Sequence, residues 1–118
     1  MRPAATAHNA LDLPLTHHPV EPAQCLGEEP TTTALYELPD APAGAVGLWE
    51  MSVGAMQDVE EDEYFLVIVG TATLKVLASH GFAAQELELV PGSLIRLHAG
   101  MRTHWQVHTT LRKLYLSR

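Results

Sequence analysis

From Thr31 onward, apolar residues come in short runs, each closed by glycine, proline or a few small polar residues. Punctuation at intervals of roughly eight to twelve residues predicts an all-β sandwich or barrel. The expected strands are 31–38, 45–53, 63–69, 71–77, 84–89, 93–97, 103–108 and 112–116. Turns are expected at 39–44, 54–62, 79–81, 91–92 and 98–100. No stretch carries the period of a long amphipathic helix. Eight strands in an open sheet would leave two unpaired edges, so closure into a jelly-roll barrel is expected. The run Tyr64-Phe-Leu-Val-Ile-Val69 is apolar on both faces. Its outer side needs covering by a second sheet, by the N-terminal residues or by a second subunit, and a homodimer is expected.

Residues 1–30 break the pattern. They hold five prolines and three histidines and show neither period, which predicts an extended arm (1–30) ahead of one barrel domain (31–118). Such an arm stays ordered only by docking on its own domain or on a neighbour. His8, His17 and His18 are read as surface residues, because a metal site needs three or four converging ligands.

Composition narrows the function. A chain of 118 residues is one domain, and 47 % apolar residues suffice for a core. The net charge of −7 argues against nucleic acid and anionic membranes as partners. No run approaches the ~18 apolar residues of a membrane span, and Met1 to His8 lack the apolar stretch of a secretory signal. With Cys25 the single cysteine, the cytoplasm is the expected location. No acid follows Glu88, whereas Arg96, Arg102, Arg112, Lys113 and Arg118 crowd the last quarter; this basic end is expected to pair with the acidic middle.

Two segments carry a family resemblance. Gly54-Ala-Met-Gln-Asp-Val-Glu-Glu-Asp-Glu-Tyr-Phe-Leu-Val-Ile-Val-Gly70 resembles the first cupin motif, with Glu63 seven residues before a turning Gly70. Pro91-Gly-Ser-Leu-Ile-Arg-Leu-His-Ala-Gly-Met-Arg-Thr-His-Trp105 resembles the second, with Gly92 and Gly100 in the glycine slots and His98 in place of the usual proline. Gly47-Leu-Trp-Glu-Met-Ser-Val-Gly54, Gly100-x4-Trp105 and Arg112-Lys-Leu-Tyr115 are similar to the cupin-domain family of (S)-ureidoglycine aminohydrolase. The resemblance implies a cupin (RmlC-like) double-stranded β-helix. The family label covers many chemistries, so the fold follows from it more directly than the reaction.

A cupin metal site, as the resemblance implies it, takes two histidines and a glutamate from the first motif and one histidine from the second. Counted back from Glu63, the first slots hold Gln57 and Val59, or Met56 and Asp58; the second-motif slot holds Thr103. The three imidazoles are missing, and no cofactor is expected. The alternative is a divalent Mn, Fe, Ni or Zn ion held by Glu63 and His104, which needs a bulge to turn His104 inward. Strand alternation instead points Thr103, Trp105 and Val107 into the barrel and His104, Gln106 and His108 outward.

Of the acids Asp58, Glu60, Glu61, Asp62 and Glu63, four are expected in solvent at the barrel mouth. Glu63 begins an apolar strand, and burial without a cation would raise its pKa and make it a proton donor or acceptor, the candidate catalytic group. Trp49, Met51, Gln57, Glu63, Thr103 and Trp105 are the candidate ligand contacts, though both tryptophans could equally fill the core. Two functions remain open. One is a metal-free barrel binding a small metabolite; the other is a metal-dependent hydrolase similar to ureidoglycine aminohydrolase, working through Glu63 and rearranged histidines.

Overall fold

The computed structural model describes Met1 and residues 4–117. Eight strands form one antiparallel sheet rolled around a single core: β1 (His17–Pro19), β2 (Thr32–Glu37), β3 (Val46–Met51), β4 (Gly54–Val59), β5 (Glu63–Val76), β6 (Gln85–Leu89), β7 (Leu94–Leu97) and β8 (Arg102–Ser117). The path runs β1-β2-β3-β8-β5-β6, with β4 also paired to β8 and β7 to β5. The all-β expectation holds.

The strand bounds differ from the sequence reading in three places. Strands expected at 63–69 and 71–77 are one strand, β5, carrying register shifts between Val67 and Ala72. Gly70 absorbs the irregularity at φ 90°, where a side chain would collide with the carbonyl oxygen of Thr110. Strands expected at 103–108 and 112–116 likewise fuse into β8, which runs past β3, β4 and β5. The turn expected over 54–62 contains β4, whose mixed polar sequence hides a strand edged by the arm. There Leu26 N–H donates to Ala55 O at 3.1 Å, and Gln57 Nε2 donates to Ala23 O at 2.9 Å.

Period-two alternation along β8 organises the core. Thr103, Trp105, Val107, Leu111, Lys113 and Tyr115 are buried, whereas Arg102, Gln106 and His108 are exposed. Met51, Phe65, Val67, Leu74 and Leu89 meet this row from the other strands. Packing of this kind removes apolar surface from water at roughly 25 cal/mol per Å².

The arm docks on its own barrel. β1 pairs with β2, Val20 joins the core, and Arg112 Nη1 donates to Ala10 O at 2.9 Å. His17 is a half-buried residue of the latch, not a free surface histidine: its ring nitrogens lie 2.8 Å from Thr32 Oγ1 and 2.7 Å from Glu50 Oε1. Arg112 Nε donates to the other oxygen of Glu50 at 2.7 Å. Burial by itself would raise the Glu50 pKa, but the bonds from His17 and Arg112 outweigh it and hold the carboxyl below its usual range. The pairs Arg112–Glu50, Lys113–Glu63 and Arg96–Asp62 match the expected contact of basic end and acidic middle. Among the described residues no helix is long and apolar enough to cross a membrane.

Candidate functional site

A cavity of ≈ 300 Å³ opens between β8, the start of β5 and the segment that follows β4. Its chemistry centres on two charged side chains that the barrel buries. Lys113 is 5 % exposed because it continues the inward row of β8. Its Nζ lies 2.7 Å from Glu63 Oε1 and faces the rings of Trp49, Phe65 and Trp105 at 4.8, 4.4 and 4.8 Å from their centroids. Three aromatic faces and one carboxylate replace the water that the ammonium gives up. Trp105 links the cage, its centroid 5.3 Å from that of Trp49 and 5.7 Å from that of Phe65.

Glu60 is the second buried charge, 7 % exposed. Its backbone is pinned on both sides: its N–H donates to Met101 O at 2.8 Å, and Gly100 N–H donates to its carbonyl at 2.9 Å. Both side-chain bonds fall on one carboxylate oxygen. Thr103 Oγ1 donates to Oε2 at 2.5 Å and Trp105 Nε1 donates to it at 3.1 Å. Oε1 takes no bond from any described residue, yet no fully buried side-chain nitrogen or oxygen among them lacks a partner. Oε1 therefore faces the cavity that Glu60 lines.

Burial pushes the Glu60 carboxyl above the usual range, against the opposing pull of the Thr103 bond and the Lys113 charge. Asp58, on the same cavity, is also raised by burial, partly offset by the bond from Val59 N–H. Burial, and then the charges of Glu37 and Glu63, push the Tyr115 phenol up.

A family profile described as the EutQ-like cupin domain matches residues 41–115, well over half of the chain. The chain is an EutQ-like cupin. No curated protein matches it. Solved structures share the fold at low identity. A protein of unknown function from Pseudomonas syringae superposes with a TM-score of 0.72 at 19 % identity, covering 96 % of this cupin but 47 % of that chain. The Clostridium difficile EutQ protein gives a TM-score of 0.55 at 19 % identity, covering 74 % and 62 %. Drosophila melanogaster CENP-C, crystallised bound to CAL1, gives 0.61 at 14 % identity, covering 88 % and 80 %.

Within this EutQ-like cupin the structure gathers Trp49, Glu63 and Trp105 on the cavity; Thr103 is bonded to Glu60 but lines a different cavity. Two further sequence candidates lie elsewhere. Met51 is fully buried core opposite Leu111. Gln57 turns to the arm, and with Ala23, Gln24 and Asp58 it lines a second cavity of ≈ 240 Å³. His104 shares that second cavity and sits on the opposite face of β8 from Thr103, so it is not brought to Glu63. Among the described residues no three His, Cys, Asp or Glu side chains converge to hold a metal ion. The donor set does not fit the hydrolase's divalent ion.

Two expectations about acids change. Glu63 is not buried without a cation, because the ammonium of Lys113 occupies its front. Glu60, read as one of the solvated acids, is the buried carboxyl. Sequence reasoning missed Lys113 and Glu60, although period two carried on from Thr103 and from Met56 would have placed both inside.

Proposed function

We propose that this EutQ-like cupin binds a small metabolite in the cavity over Glu60, Lys113, Trp49 and Trp105, without a metal ion. The observation that carries the reading is Glu60: a buried carboxyl anchored through one oxygen, with the other open to an aromatic-walled space. Groups left with unmet hydrogen-bonding capacity in an otherwise apolar pocket are what fixes a ligand's orientation. The Lys113–Glu63 pair supplies rigidity, since each charge locks the other against the rings. The cytoplasm remains the compartment this reading favours, in keeping with one unpaired thiol on Cys25. The hydrolase alternative inferred from ureidoglycine aminohydrolase would need His104 turned through β8 to reach Glu63, and no bulge on β8 next to His104 supplies that turn.

Tryptophan emission tests the reading, since Trp49 and Trp105 both line the cavity. A panel of small amines, carboxylates and amides titrated into the full chain should include a class that changes emission saturably, with the change reduced in Trp49→Phe. A panel in which no class alters emission or thermal stability would remove the reading.

A further inference from the structure

We infer that the ligand held at this cavity is a small organic ammonium ion, bound through Glu60 Oε1 and the exposed face of Trp49. The inference rests on the small-molecule reading and names its ligand class.

Charge at the cavity is one-sided. Asp58, Glu60, Glu61 and Glu63 line it against the single cation Lys113. The 2.7 Å contact with Glu63 pairs that cation with one acid, so Asp58, Glu60 and Glu61 share only the remainder of its field. The partners of Asp58 are the neutral Gln24 amide and Val59 N–H, which leave its charge in place. A concave, low-dielectric wall of one sign concentrates the opposite ion. The walls also suit a cation with apolar substituents, because Leu35, Trp49 and Val59 complete the lining.

The cage around Lys113 shows that these rings accept an ammonium: its Nζ stands 4.8 Å from the centroids of both Trp49 and Trp105. A second ammonium has its own partner in Glu60 Oε1, the one oxygen of that buried carboxyl that no described residue engages. An anion would meet three carboxylates, and a neutral amide would leave the charges unanswered.

Such a ligand must couple to protons. The titratable groups that line the cavity with Glu60 are Asp58, Glu61, Glu63, Lys113 and Tyr115; of these Asp58 opposes ionisation of Glu60 and Lys113 favours it. An arriving ammonium adds a second favourable charge and lowers the Glu60 pKa, so binding near the ordinary carboxylate value of 4.5, where the raised carboxyl still holds its proton, releases that proton and strengthens as pH rises.

The test titrates ethylammonium, acetate and acetamide at constant ionic strength into the full chain, reading tryptophan emission and, by calorimetry in buffers of different ionisation heat, proton release. Ethylammonium alone should give a saturable change, accompanied by proton release when the titration is run near pH 4.5. Glu60→Gln should weaken it about 10-fold, the loss of one charge-assisted bond, whereas Glu61→Gln at the exposed rim should change it less than about 3-fold. Circular dichroism checks that both variants fold, and the proton count on the unmutated chain carries the test if Glu60→Gln does not. A response to acetate or acetamide without ethylammonium overturns the ammonium assignment and leaves the small-molecule reading standing. No response to any of the three overturns the assignment, while a response to larger members of the wider panel separates that failure from failure of the reading itself.

Discussion

Glu60 and Glu63 stand three residues apart and meet opposite electrostatic conditions. Glu63 faces an ammonium, whereas Glu60 is buried on neutral donors and its proton is held more tightly folded than unfolded. A carboxyl raised by folding costs stability as pH climbs above the ordinary value of 4.5 and through the folded one. Glu60→Gln is therefore expected to raise the melting temperature at pH 8 by about 3 °C or more, with no gain at pH 4, as measured by thermal denaturation across pH. Lys113→Met should do the reverse. It strands Glu63 in the aromatic cage and should cost about 3 kcal/mol, with much of the loss recovered in Lys113→Met/Glu63→Gln; a double-mutant cycle in urea reads both.

At the level of elements, the arm and the bulge make separate predictions. Glu50 binds His17 and Arg112 at once, so its loss frees both ends of the latch. Glu50→Gln should speed amide exchange at residues 8–20 while β5 and β8 stay protected. Because folding lowers the Glu50 pKa, the stability it contributes is present above the ordinary carboxylate value and is lost as pH falls through the lower folded one. Protection of the same amides, referred to the intrinsic exchange rate at each pH, should therefore fall in acid. Gly70→Ala should cost more than about 3 kcal/mol, since it pairs a clash with Thr110 O and a left-handed backbone.

Most strands were legible because the inner face of each is apolar and the turns carry glycine or proline. The site was only half legible. Trp49, Glu63, Thr103 and Trp105 lie on runs whose alternation is plain, but Lys113 and Glu60 depend on continuity across segments that looked broken. Thr109 to Leu111 read as a gap in β8, and the acids after Met56 read as a loop. The first stays in β8 because Thr109 pairs with Thr71 of β5 and Leu111 with Met51 of β3; in the second, β4 runs on β8 as far as Val59, and Glu60 beyond it is held by backbone bonds to Gly100 and Met101. A local sequence cannot display a partner that lies about forty or more residues away.

Over the molecule as a whole, the arm covers only part of the outer sheet. Tyr64, Leu94 and Leu116 remain 52 %, 68 % and 53 % exposed. They are contiguous, since Tyr64 pairs with Leu116 and its strand neighbour Leu66 pairs with Leu94. An isologous contact needs only one such patch on each copy, so a second copy is the expected cover. Light scattering should give a dimer, and Leu94→Glu a monomer with unchanged circular dichroism.

The sharing of β8 among β3, β4 and β5 also sets an order of events at the ribosome. All three are synthesised before their common partner, and until it emerges only the pairings of β1 with β2, β2 with β3, and β5 with β6 and β7 can form. Closure must wait for β8. The nascent chain thus carries the Trp49 face and the apolar run of β5 open until β8 emerges, when chaperones can reach them, and the cavity comes into being in the same step that completes the barrel.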